Sequence, residues 1–150
     1  MKKTVYEKDV YYHIIWSQIH RYDKYDAQKV LPELPGILCL LEGAGDDFEY
    51  LIFLACWRDG LRVGLKKFLD PDMTKFRDIS MRINTGNLYY KYTAVDSSAD
   101  DLRDVLFWLI MNYRPLYNSG SYKDSERFLG INVKEGKMRP GDVVEKFSGI

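Results

Sequence analysis

Apolar residues recur along this chain with two periods. From Leu102 they fall at i, i+3, i+4, i+7, i+8 and i+11 (Val105, Leu106, Leu109, Ile110, Tyr113), an unbroken stripe along one face of a helix. Ser98, three residues before Asp101, has the spacing of a capping box at its start. Leu61, Gly64, Leu65, Phe68 and Leu69 repeat the helical spacing and stop at Asp70-Pro71. Asp23 to Leu31 reads as a short helix ended by Pro32 and Pro35.

The second period is that of strands. Gly36 to Leu41 and Tyr50 to Trp57 are apolar runs joined by the Gly-rich acidic stretch 42–49, the pattern of a hairpin. Both are apolar on both alternations, so each is expected to be covered on two faces, with helices above and below the sheet. Leu88 to Val95 is built of strand-favouring residues and predicts a third strand. Residues 10–19 fit a helix face as well as a strand and are taken as extended. After Asn118 the chain turns polar, with one apolar patch from Phe128 to Val133 and a weak helical spacing of Val143, Val144 and Phe147. This tail is either a strap over the core or an arm for a partner.

Length sets the scale: 150 residues suffice for one ordinary core. Lys plus Arg balances Asp plus Glu at 22 each, so no global field draws the molecule to nucleic acid or an anionic membrane. Residues 58–82 are the local exception, with Arg58, Arg62, Lys66, Lys67, Lys75, Arg77 and Arg82 against four acids; a solvated helix face is the simpler reading of them. The 12 Tyr, 7 Phe and 3 Trp leave rings over after a core is filled, and surplus rings suit interfaces. Cys39 and Cys56 lie in apolar runs, as buried thiols do. No segment reads as a signal peptide or a membrane span, and the expected location is cytoplasmic.

The order hairpin, helix, strand, helix, then Pro-x-Tyr-Asn resembles the GIY-YIG nuclease domain. Four landmarks carry the resemblance. Leu31-Pro32-Glu33-Leu34-Pro35-Gly36-Ile37-Leu38 looks like the lead-in and first strand, and Phe53-Leu54-Ala55 stands where the second strand's Tyr-Ile-Gly would be. Leu61-Arg62-Val63-Gly64-Leu65 looks like the first helix, and Arg114-Pro115-Leu116-Tyr117-Asn118 like the closing turn. The resemblance implies an α+β fold with a small three-stranded antiparallel sheet flanked by helices. Residues 1–118 would form the domain, with its core at 31–118 and an N-terminal extension, and 119–150 the C-terminal tail.

The family's chemistry rests on a Tyr in each of the first two strands, an Arg on the first helix and a metal-binding Glu on the second. Here Leu38 and Phe53 take the tyrosine positions, Gly64 the arginine position and Leu106 the glutamate position. None of the four has a hydroxyl, a cation or an oxygen ligand to offer. Asn118 alone is kept. Helical neighbours do not substitute: Leu106 shares its face with Leu102, Arg103, Leu109 and Ile110, while Arg62 lies about 200° round the helix from Gly64. Gly64 itself points to close approach of helix and sheet.

Other clusters are weaker. His13, His20 and Asp23 lack the spacing of a metal site. Asp70 and Asp72 fit a helix stop with solvated turn acids. Tyr89, Tyr90 and Tyr92 could stack bases, but alternation divides them between two faces, and a core role for at least one is expected.

Two functions are consistent with these residues. One is a catalytically inactive GIY-YIG-like module that holds a protein partner or a second copy of itself, without cofactor. The other is a DNA-binding or Mg-dependent endonuclease with relocated catalytic residues, using Arg58, Arg62, Lys66, Lys67, Arg114 and Asn118 on the nucleic acid.

Overall fold

A computed structural model of the chain describes residues 1–44, 46–118, 124–144 and 146–147. The hairpin is the centre of the fold: β4 (Gly36–Ala44) pairs antiparallel with β5 (Asp47–Cys56), and β6 (Leu88–Ala94) pairs antiparallel with the other edge of β4. A two-residue strand, β3 (His20–Arg21), extends the sheet beyond β6 to give the order β3-β6-β4-β5. Stretch 42–49, expected as a connection, is mostly strand. The sheet is antiparallel as expected, but it has four strands rather than three, because residues before the hairpin reach back to its far edge.

A second sheet was not expected. β1 (Lys2–Tyr6) and β2 (Asp9–Trp16) form an antiparallel hairpin, and β7 (Gly130–Lys137) runs parallel to β2 along its full length. The extended reading of 10–19 holds over β2, where Val10, Tyr12, Ile14 and Trp16 are buried and alternate with more exposed residues. The tail is a strap in cis, with Ile131 and Val133 directed inward. The helical spacing around Val143, Val144 and Phe147 is not realised among the described residues of that stretch. Tertiary contacts take its place: Val144 packs on the core and the Phe147 amide donates to Asp96 Oδ1 at 3.0 Å.

Alternation along β4 builds the two cores. Leu38 and Leu40 face α1 (Lys24–Val30), α2 (Gly60–Leu69) and α3 (Arg77–Met81). Ile37, Cys39 and Leu41 face α4 (Ala99–Tyr113) and the inner side of the second sheet. Cover on both faces agrees with the sequence, although a sheet shares one face with α4. A bulge opposite Leu40 and Leu41 inserts Leu51 into β5. Tyr50 and Phe53, three apart, would lie on opposite faces of a regular strand; the inserted residue puts both on the α4 side, with rings 5.9 Å apart.

The helix ends follow their local chemistry. Asp23 caps α1 by accepting from the Tyr25 and Asp26 amides, and Ser98 Oγ accepts from the Asp101 amide at 3.0 Å. The reciprocal half of the capping box is absent, because the Asp101 side chain is engaged elsewhere. Gly36 is needed for strand approach, since a Cβ there would strike the Thr93 carbonyl oxygen. Gly64 is needed for helix approach: a Cβ would lie 2.6 Å from Cys56 Sγ and 3.1 Å from its Cβ.

That contact sets a prediction. Alanine is the better helix former by about 1 kcal/mol, yet overpacking costs about 1–3 kcal/mol, so Gly64→Ala is expected to lower stability. In a Cys56→Ala background the same change should cost far less, giving a positive coupling in urea melts. A rise in urea midpoint on Gly64→Ala alone would show that the helix has room to spare.

Candidate functional site

The four positions that the nuclease resemblance singles out do not form a cluster. Leu38 is fully buried beneath α2, and Gly64 sits against Cys56 on that same side of the sheet. Phe53 and Leu106 are buried on the opposite side, in the layer under α4. Groups that act on one reacting atom must converge within hydrogen-bond reach of it, and the sheet itself separates these two pairs. Among the described residues no three His, Cys, Asp or Glu side chains come together as a metal ion would require.

Asn118 has a structural task. Its Oδ1 accepts from the Phe53 amide at 2.7 Å, and its Nδ2 donates to the Phe53 carbonyl at 3.0 Å. The Leu116 and Tyr117 amides donate to the carbonyls of Tyr50 and Leu51. The closing turn thus covers the outer edge of β5, with an asparagine amide imitating one more peptide group. Arg114, expected on nucleic acid, is the exposed left-handed C-cap of α4. It belongs to the layer opposite α2, away from the other basic residues.

Those residues are divided as well. Arg62 donates through Nε to the Leu31 carbonyl and pairs with Glu33, and Lys67 pairs with Asp59 at 3.0 Å. Arg82 pairs with Glu42 and donates to the Tyr117 hydroxyl. Arg58 and Lys66 make no ion pair among the described residues. Arg58 and Lys67 line a groove of about 440 Å³ with Trp57, Gly64 and Phe76, whereas Lys66 opens onto a different cavity beside α1.

The tyrosines of β6 are not a platform. Tyr90 and Tyr92 are buried on the α2 side, and Tyr89 meets Phe48 edge-on at 5.1 Å. His20 stacks on Tyr90, while His13 lies on the outer face of β2 between Lys2 and Lys134. Burial, joined by those two cations and the N-terminus, lowers its pKa. Asp70 forms the expected turn, accepting from the Asp72 amide. Both thiols are buried, and burial pushes Cys56 up to about 12 and Cys39 higher still, which leaves neither reactive at neutral pH.

Two polar clusters escape sequence reading. At the start of α4, Asp101 and Asp104 are buried. Asp101 Oδ1 pairs with Lys3 at 2.8 Å and Arg127 at 3.0 Å, and Asp104 Oδ2 pairs with Arg127 at 2.7 Å. The Tyr12 hydroxyl lies 3.0 Å from both carboxylates; burial and these two charges raise its pKa and keep it a proton donor. Burial alone would raise the Asp101 pKa. Hydrogen bonds from Lys3, Ser97, Arg127 and Tyr12 outweigh it and bring the carboxyl from 3.8 to about 2. The sequence signal was an i, i+3 acid pair bordering an apolar stripe, which solvation explains equally well.

The second cluster joins the two sheets. Lys91, on the α4 side of β6, is 7% exposed, with its ammonium 4.5 Å from the centre of the Trp16 ring and 5.3 Å from that of Tyr50. Glu135 of β7 accepts from Trp16 Nε1 at 2.7 Å and from the Tyr113 hydroxyl at 2.8 Å. Ring faces steady the cation and ring donors hold the anion. A lysine inside a run of strand formers was the available signal, but its surroundings come from three distant segments.

Two measurements test these assignments. Asn118→Ala strands a buried amide and carbonyl, so a loss of about 1–3 kcal/mol is expected in urea melts; no loss would mean that the β5 edge does not depend on this side chain. Asp101 has a lower pKa folded than unfolded. Its contribution is therefore complete above pH 3.8 and disappears as pH falls toward about 2. Stability of the wild type should drop across that window, and the drop should be shallower in Asp101→Asn.

None of the curated proteins and none of the solved structures compared with the chain matches it. Among the described residues no helix is long and apolar enough to cross a membrane. A family model described as "Uncharacterised protein" matches residues 1–141, a span that holds the seven strands and four α-helices of the described residues. The chain belongs to that family.

Proposed function

We propose that this protein is a non-catalytic interaction module on a scaffold resembling the GIY-YIG domain. The observation that carries the reading is the state of Leu38, Phe53, Gly64 and Leu106: three hydrocarbon side chains packed as core and a half-buried glycine set against Cys56, parted into two pairs by the sheet. The nearest acids on the same helix as Leu106 are Asp101 and Asp104. Both already pair with Arg127, which favours a structural role for them over that of a relocated metal ligand. Support for contact with another protein surface, a partner or a second copy, comes from the outer face of the β1-β2-β7 sheet. Tyr6 and Tyr11 are exposed there beside Lys2 and Lys134.

A second reading, nucleic-acid binding without cleavage, is favoured by one feature. The groove beside α2 combines Arg58 and Lys67 with the rings of Trp57 and Phe76.

Incubation with supercoiled plasmid and Mg²⁺ or Mn²⁺ separates these readings from an active nuclease. The plasmid is expected to stay intact; nicking that vanishes in Asp101→Asn or Asp104→Asn would overturn the non-catalytic reading. Fluorescence anisotropy on a short single strand decides the second: binding that weakens with salt and in Arg58→Ala supports the groove.

A further inference from the structure

Strand β6 outlasts its neighbour. β3 covers Tyr89 and Tyr90, and Ser17 then takes both polar groups of Tyr92, its amide donating to the Tyr92 carbonyl and its Oγ accepting from the Tyr92 amide. Beyond Tyr92 the edge opens onto a cavity of about 530 Å³, within the size range of small-molecule sites. The far wall is the chain leaving β7, Met138 to Val144, together with Ile15. The carbonyls of Leu88 and Tyr92 point outward, to Tyr22 and Ser17. Strand parity sends the Ala94 peptide to the same open edge.

Three features of this cavity call for an occupant. Thr93 is 1% exposed, lines the cavity, and its hydroxyl has no hydrogen-bond partner among the described residues. A buried hydroxyl without a partner is costly, and native proteins rarely leave one so. Lys137 and Arg139 also line the cavity, and neither enters an ion pair among the described residues. Among the described residues the acid at this wall is Asp142, one oxygen of which accepts the Arg139 amide at 2.7 Å. The rest of the lining is largely apolar, including Ile15, Met138, Val143 and Val144.

We propose that this cavity binds a small organic anion with an apolar body, a carboxylate that accepts a hydrogen bond from the Thr93 hydroxyl and whose charge is met by Lys137 and Arg139. The hydrocarbon part of such a ligand lies against Ile15 and the valines of the tail. Binding would bridge β6 to the strap, so the ligand also fastens residues 138–144 to the core.

The test uses the full chain and an amide-resolved NMR titration with octanoate, with 1-octanol and inorganic phosphate as separate arms. Saturable shifts at Thr93, Ala94 and Gly141 are expected with octanoate, and binding about tenfold weaker with either other probe. The exposed double variant Lys137→Ala/Arg139→Ala should weaken octanoate about tenfold. Thr93→Val should weaken it too, while Thr93→Ser, which keeps the hydroxyl, should bind as the wild type does. Absence of saturable shifts, octanol or phosphate binding as tightly as octanoate, or unchanged affinity in the double variant would each overturn the proposal.

Discussion

The fold depends on a buried carboxylate pair that needs both ends of the chain to neutralise it. Asp101 and Asp104 lie inside the protein at the start of α4, where two unpaired negative charges could not be tolerated. Lys3 comes from the first strand, Tyr12 from the second, and Arg127 from the segment leading into the last. The network thereby fixes the second sheet on the helix and, through the helix, on the central sheet. Removing one partner would leave a buried charge uncompensated, so the network holds the segment leading into β7 beside β2. The parallel pairing of β7 with β2 is one that no local signal dictates.

That sheet changes the meaning of the central one. Its residues close over the α4 face, and Trp16, Lys91, Tyr50, Tyr113 and Glu135 fill the junction with rings, one buried cation and one half-buried anion. On this face Phe53 and Leu106 are core side chains. On the other, Leu38 and Gly64 let α2 pack directly on the strands. A wet groove needs polar walls and access. Leu38, Phe53 and Leu106 have neither, and Gly64, at the edge of the groove beside α2, has no side chain to offer it, which is why the reading as an interaction scaffold rests on packing rather than on missing residues alone.

The polar and basic residues that remain for function are spread over separate surfaces. Arg62 and Arg82 are consumed by neighbours, Lys67 shares its groove with its exposed partner Asp59, and Arg114 and Lys66 face different regions, so the basic count of residues 58–82 does not become one field. The sites with definite geometry are instead the aromatic groove beside α2 and the cavity where β6 outruns β3. The first places rings beside cations; the second places a buried hydroxyl and two cations at an open strand edge.

The sequence by itself determined the elements whose stability is local or nearly so: the capped helix α4 from its apolar stripe, α1 from Asp23 and the prolines, the hairpin β4-β5, strand β6, and the closeness of Gly64 to the sheet. It also determined that Leu38, Phe53 and Leu106 would be buried, since burial follows from side-chain chemistry wherever the chain goes. Tertiary structure alone decided which face each residue occupies. A single inserted residue at Leu51 reverses the side of everything before it in β5. It decided, too, that the polar tail supplies strand β7, because a strand with Glu135 pointing inward is stable only once Trp16 and Tyr113 are there to meet it. Charges distant in sequence could be paired only by the finished fold, for the energy of burying a carboxylate depends on neighbours that periodicity does not name.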